Sequence, residues 1–267
     1  MTTASTSAST STSTSASVIA PPASVPVYQR VADLAAAHIA PWQEGYLQDR
    51  SQAVAALARL RRGAGRAAGE LPDLWSLIDT DPLHDTGGEA NALASHEPAR
   101  RLSERELIRA EDALHAALTL WAFHQQSRGA PMHRRHTRER PAGLGAAVRR
   151  LMPADGLDEP VRKRLVRAGS APDLVTLTQR LRDLVALLRR EDIPLDYALL
   201  AGQLYVWQWP DGPAAVRRRW GRSFHEQRRP RPTPDANTTP GTDPAPDANT
   251  LPGTAPDTLP DTDKDAS

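Results

Sequence analysis

The stretch SAPDLVTLTQRLRDLVALLRR, Ser170 to Arg190, decides the fold class. Leu174, Leu177, Leu181, Leu184 and Leu188 recur at alternating steps of three and four residues, which places them along one side of an α-helix. Ser170, Pro172 and Asp173 supply a cap, a first-turn proline and a first-turn acid ahead of that seam. After it, Pro194 starts a second helix with Tyr197, Leu200, Leu204 and Trp207, and PDG at Pro210–Gly212 turns the chain into a third. There Val216, Trp220 and Phe224 share one face, and Arg218 and Arg222 lie one turn apart on the opposite face.

Working back towards the N-terminus, the helical period persists. Asp158 and Pro160 open a helix that ends at Gly169, and Leu144–Met152 reads as a short one stopped by Pro153. Ser103 with Glu106 forms a capping box for a long helix carrying Leu107, Leu114, Leu118 and Trp121. Further back, a helix with Val54, Leu57 and Leu60 ends at Gly63, and a short helix is expected from Pro72 through Leu74, Trp75 and Ile78. The first helix, with Val31, Leu34, Ala35, His38 and Ile39, is expected to stop at Pro41. No segment alternates in the manner of a strand. The fold class is all-α, a bundle of roughly eight to nine helices.

The two ends differ in composition from this middle. Residues 2–17 are only Thr, Ser and Ala, and PDANTTPGT at Pro234–Thr242 recurs as PDANTLPGT at Pro246–Thr254. Residues 1–25 and 230–267 therefore read as disordered segments flanking a folded domain over 26–229. Residues 1–27 hold no charge, residues 28–229 hold 31 basic against 25 acidic side chains, and residues 230–267 hold 2 against 7. The overall +1 thus averages a basic domain and an acidic tail.

Almost all the basic charge is arginine, because Lys163 and Lys264 are the only lysines. A planar guanidinium suits phosphate recognition, and the arginines cluster: Arg59–Arg66, Arg128–Arg150, Arg162–Arg190 and Arg217–Arg229. Such faces point to a polyanion, and about six contacts to a single strand give a log–log salt slope near −4. Aromatic residues are only 4% of the chain and fall on apolar stripes, so the expected contact is to backbone, with little reading of bases. Trp207 and Trp209 beside Pro210 read as a hydrophobic plug at a helix end.

Catalytic patterns are missing from the sequence. With no cysteine there is no thiolate site or disulfide, and no P-loop, GxSxG or HExxH occurs. His133 and His136 have metal-like spacing but lie in the arginine-rich stretch Arg128–Pro141, which reads as a mobile basic loop with Glu139 as its one carboxylate. His115 and His124 fall on nearly the same side of the long helix, one of them near the core. No enzyme, cofactor or metal is expected. No apolar run is long enough for a transmembrane helix, and cytoplasmic residence fits best.

Several segments resemble the CasB family, the small subunit of the type I-E CRISPR complex Cascade. They are LARLRR (57–62), LPDLWSLI (71–78), HAALTLWAFHQ (115–125), GLGAAVRRL (143–151), LVRAG (165–169) and IPLDYALLAGQL (193–204). WQWP (207–210) and RRWGRSF (218–224) continue the series, so the resemblance spans roughly residues 26–226. It implies a non-enzymatic helical subunit, present as two copies, contacting the large subunit, guide RNA and single-stranded DNA. By position it implies that Arg59, Arg62, Arg149, Arg150, Arg162, Arg164, Arg167 and Arg180 meet nucleic acid, with Arg218 and Arg222 in support. The readings that remain beside it are a free-standing helical nucleic-acid-binding regulator and a purely structural scaffold subunit.

Overall fold

In the computed structural model, residues 25–84 and 101–226 are described, and among them nine α-helices and three short 3-10 turns form the fold. The Ser/Thr-rich start, most of the polar stretch 79–97 and the acidic repeat lie outside the described residues. The helices are α1 (Val27–Leu47), α2 (Ser51–Leu60), α3 (Asp81–His84), α4 (Glu104–Gln125), α5 (Leu144–Arg150), α6 (Glu159–Gly169), α7 (Leu174–Arg190), α8 (Tyr197–Trp207) and α9 (Gly212–Glu226).

α4 is the axis of the bundle, and α1, α2, α7 and α8 pack around it. Its middle explains this: Ala110, Ala113, Ala117 and Ala122 admit close neighbours, and Leu114, Leu118, Leu120 and Trp121 fill the space between. α8 is apolar nearly all round and buried to match, lying between α1, α4 and α9. Gly202 sets its distance from α1, since a Cβ there would stand 2.7 Å from the Tyr28 carbonyl oxygen. The second layer is α5 against α9, where Gly145 brings the backbones so close that a Cβ would stand 2.0 Å from the Trp220 carbonyl oxygen.

The leucine seam of α7 holds: Leu177, Leu181, Leu184 and Leu188 are each 0% exposed. Its cap is Asp173, whose carboxylate accepts from the Thr176 N–H at 2.7 Å, in place of the Ser170 cap that the sequence suggests. The expected capping box is present at α4, with Glu106 Oε2 accepting from the Ser103 N–H at 2.9 Å.

Three expectations are corrected. α1 runs through Pro41 for six more residues. Pro41 and Ala37, whose carbonyl loses its donor, are both exposed, so water serves that oxygen. The turns beyond Pro41 are also tied down, because Gln43 Oε1 accepts from the His133 N–H at 2.9 Å and Trp121 Nε1 at 3.3 Å. The segment from Pro72 forms only a 3-10 turn, Pro72–Leu74, with Leu74 buried and Trp75 67% exposed. Leu71, Leu77 and Ile78 also pack on the core, but only partly buried, and with Trp75 turned to solvent the segment has no continuous buried helical face.

The third correction is the Arg128–Pro141 stretch, which is pinned to the core. Leu195 N–H donates to the Met132 carbonyl at 3.0 Å, Arg134 N–H to the Leu195 carbonyl at 3.2 Å, and His136 N–H to Asp196 Oδ2 at 2.7 Å. Asp196, 4% exposed, uses its other oxygen to cap α8 through the Leu199 N–H at 2.9 Å.

Candidate nucleic-acid interface

The arginines divide by what their guanidinium groups touch. Arg149, at the end of α5, is 5% exposed; Nη1 donates to the Pro153 carbonyl at 2.7 Å and Nη2 to the Ala154 carbonyl at 2.8 Å. It closes the turn after α5, with its guanidinium turned to backbone carbonyls and away from solvent. Arg59 is half-buried, with Nη2 on the Asp73 carbonyl and Ser76 Oγ. Arg150 donates to the Pro194 carbonyl at 3.0 Å, yet the residue remains exposed.

The others, apart from Arg180, are exposed. Arg162 forks onto both oxygens of Glu159 at 2.7 Å, and these hydrogen bonds hold the Glu159 carboxyl below its ordinary pKa. Arg164 and Arg167 are exposed on α6, as are Arg218 and Arg222 on α9, and Arg62 lies 3.7 Å from Asp73 with both side chains mostly open.

What unites α6, α7 and α9 is the C-terminal end of α6. Arg180 Nη1 reaches from α7 to the Arg167 carbonyl, and Arg217 Nη1 reaches from α9 to the Gly169 carbonyl at 3.0 Å. Two cations therefore meet the negative end of the α6 dipole: Arg217 pairs the Gly169 carbonyl, and Arg180 joins the Ser170 hydroxyl, which donates at 3.0 Å, on the Arg167 carbonyl. One hydrogen bond, from Arg217 to Gly169, thus links the end of α6 to α9. Arg59 and Arg62 belong to a separate locus beside Asp73, joined to α7 where Gly65 packs on Arg182 and Gln179.

Arg217 belongs to the last arginine cluster read from the sequence but not to the residues expected to meet nucleic acid. Its signal was its position, next to Arg218 on the flank of the apolar stripe of α9, but spacing alone does not reveal that α6 ends there. Other arginines cover aromatic rings: Arg182 sits 4.7 Å from the Phe123 centroid, Arg109 4.0 Å from Trp209 and Arg219 5.8 Å from Tyr28. Trp207 stacks on Trp220 at 5.7 Å and is buried, so the plug reading holds for Trp207, whereas Trp209 is 37% exposed beneath Arg109.

The histidines serve the backbone. His133 Nδ1 accepts from the Tyr197 N–H at 3.1 Å and His136 Nδ1 from the Ala142 N–H at 3.1 Å. Burial keeps His133 below the usual imidazole range against the pull of Asp196. Both His115 and His124 are buried, at 4% and 0% exposure. His124 Nδ1 lies 2.8 Å from Tyr197 Oη, and desolvation pushes its pKa down to about 3.

The family model of CRISPR-associated protein Cse2 matches residues 56–225. The chain belongs to the Cse2 family. It is similar to the CasB of Thermobifida fusca known from a crystal structure, at 47% identity over 73% of this chain and 98% of that one, with a TM-score of 0.60. A chain of a CRISPR RNA-guided surveillance complex shares the fold at 20% identity, over 74% of this chain and 95% of that one, with a TM-score of 0.50. Comparison with curated protein sequences returns no match. The Cse2-family match covers every arginine named above, from Arg59 to Arg222, and stops short of the acidic repeat.

Proposed function

We propose that this chain is the non-catalytic small subunit of a type I-E CRISPR surveillance complex, where its exposed arginines hold nucleic-acid backbone. Family membership supports the assignment, and it, rather than any absent group, carries the non-catalytic reading. The observation that carries the contact mode is the exposure of Arg164 and Arg167 on α6 and of Arg218 and Arg222 on α9, two helices that meet where Arg217 bonds the Gly169 carbonyl. Exposed guanidinium groups can turn their forked donors onto phosphate oxygens without first breaking a backbone contact. Guide RNA, target strand and displaced DNA strand all offer such a backbone, and strand exchange is nearly balanced, so a few contacts decide whether an opened duplex persists. A second copy of the chain and the large subunit are the protein partners in this reading.

The test is co-expression of the full chain with the remaining subunits and a guide RNA. The expected result is incorporation into a ribonucleoprotein. Changing Arg164, Arg167, Arg218 and Arg222 together to Gln should leave incorporation intact and flatten the log–log salt slope of target binding by about 3. An unchanged slope would assign the chain a scaffold role; a folded chain that binds DNA alone and never joins the complex would favour the free-standing regulator.

A further inference from the structure

A small cleft opens between α4, the turn Ala68–Glu70 and the first turns of α7, with a volume of about 110 Å³. That is several times the roughly 30 Å³ one water occupies in the liquid. Its polar lining is Arg66, Asp112, His115 and Thr178. Asp112 stands in it without a hydrogen bond or ion pair among the described residues, and His115, one turn along α4 and 4% exposed, lies beneath it. Thr178 spends its proton on the Leu174 carbonyl at 2.7 Å, which leaves the hydroxyl lone pairs. Burial lowers the His115 pKa, against the Arg66 and Gly63 carbonyls, so the imidazole is neutral and one ring nitrogen carries a lone pair.

The charge around the cleft is negative. Arg66 at the rim is matched by Glu70 at 3.0 Å, whereas Asp112 has Glu111 beside it, and burial and that neighbour both raise its pKa. A partly desolvated carboxylate next to a like charge is stabilised by a cation. The walls are short and apolar, from Ala116, Leu174 and Val175, the last 41% exposed. A carboxylate within and apolar side chains around it match a cationic head on an aliphatic stem.

We propose that this cleft receives the side chain of an arginine or lysine presented by another protein, with Asp112 as the counter-ion. Its character is opposite to that of the arginine faces: it rejects phosphate and selects a basic protein segment. A side-chain pocket of this kind supplies orientation more than affinity, since a partly buried ion pair gives specificity by refusing wrong partners.

The experiment is an NMR titration of the full chain with a blocked pentapeptide, acetyl-Ala-Ala-Arg-Ala-Ala-amide, following the His115 ring and the Asp112 and Ala116 amides. The expected result is saturable shifts at these three residues and a loss of affinity of at least tenfold in Asp112→Asn. Methyl phosphate should leave them unmoved. Linear shifts without saturation, unchanged binding by Asp112→Asn, or displacement of the peptide by methyl phosphate would each overturn the proposal. Spermidine is the second arm, and tighter binding of spermidine than of the peptide would overturn the protein source in favour of a free polyamine. If Asp112→Asn does not fold, Ala116→Leu, which fills the cleft from an apolar wall, must abolish the shifts.

Discussion

At the scale of single residues, the same side chain type does two jobs that sequence cannot separate. Arg149 and Arg150 are adjacent, yet one is buried on carbonyls and the other is exposed. Clustering made all ten candidate arginines legible as a set, but whether a guanidinium meets a carbonyl or solvent depends on where the next helix ends. Arg149→Ala leaves the Pro153 and Ala154 carbonyls without their donor, and the expected loss of stability is about 2–3 kcal/mol in urea unfolding. Arg164→Ala, on an open helix face, should change the same midpoint by less than about 0.5 kcal/mol. Equal losses in the two variants would refute this division of roles.

At the scale of elements, long amphipathic helices were readable because one buried face imposes a period, and α4, α7, α8 and α9 appear where that period put them. What spacing could not reveal was tertiary rescue. Pro41 stops a helix only if nothing holds the next turn, and here Gln43 and Tyr46 do, the latter through Tyr46 Oη accepting from the Ser127 N–H at 3.0 Å. The basic stretch after α4 was unreadable for a similar reason, since its anchor, Asp196, lies sixty residues away. Asp196→Ala removes the α8 cap and the His136 anchor together, so it should cost about 2–4 kcal/mol and speed amide exchange at both His136 and Leu199. Exchange that rises only at Leu199 would show the loop to be held by other means. Helix ends supply a stabilising counterpart. Asp49, just past the end of α1, has φ 52°, a left-handed conformation that suits glycine, and Asp49→Gly should raise stability by about 0.5–1 kcal/mol.

At the scale of the whole molecule, the fold encloses uncharged imidazoles, and this makes its stability depend on pH. His124 sits between α4 and α8 with its pKa at about 3, against 6.5 ordinarily, and burial also lowers His115 and His133. A group depressed in the folded state binds its proton first when the chain unfolds. Its contribution is therefore complete above pH 6.5 and is lost progressively as the pH falls towards 3. For His124 alone the loss at pH 5 is about 2 kcal/mol, from 1.5 units at 1.36 kcal/mol each, and His115 and His133 act in the same direction. Asp112 opposes them, because its raised pKa favours the folded state on acidification, but it is one partly exposed group. The net expectation is a thermal midpoint that falls several degrees between pH 7 and pH 5. His124→Gln keeps a polar partner for Tyr197 Oη and cannot titrate, so the variant should be less stable at pH 7 and show a shallower decline below it. A decline of unchanged steepness in that variant would place the acid sensitivity elsewhere, at His115 or His133, and separate mutation of these two would then locate it.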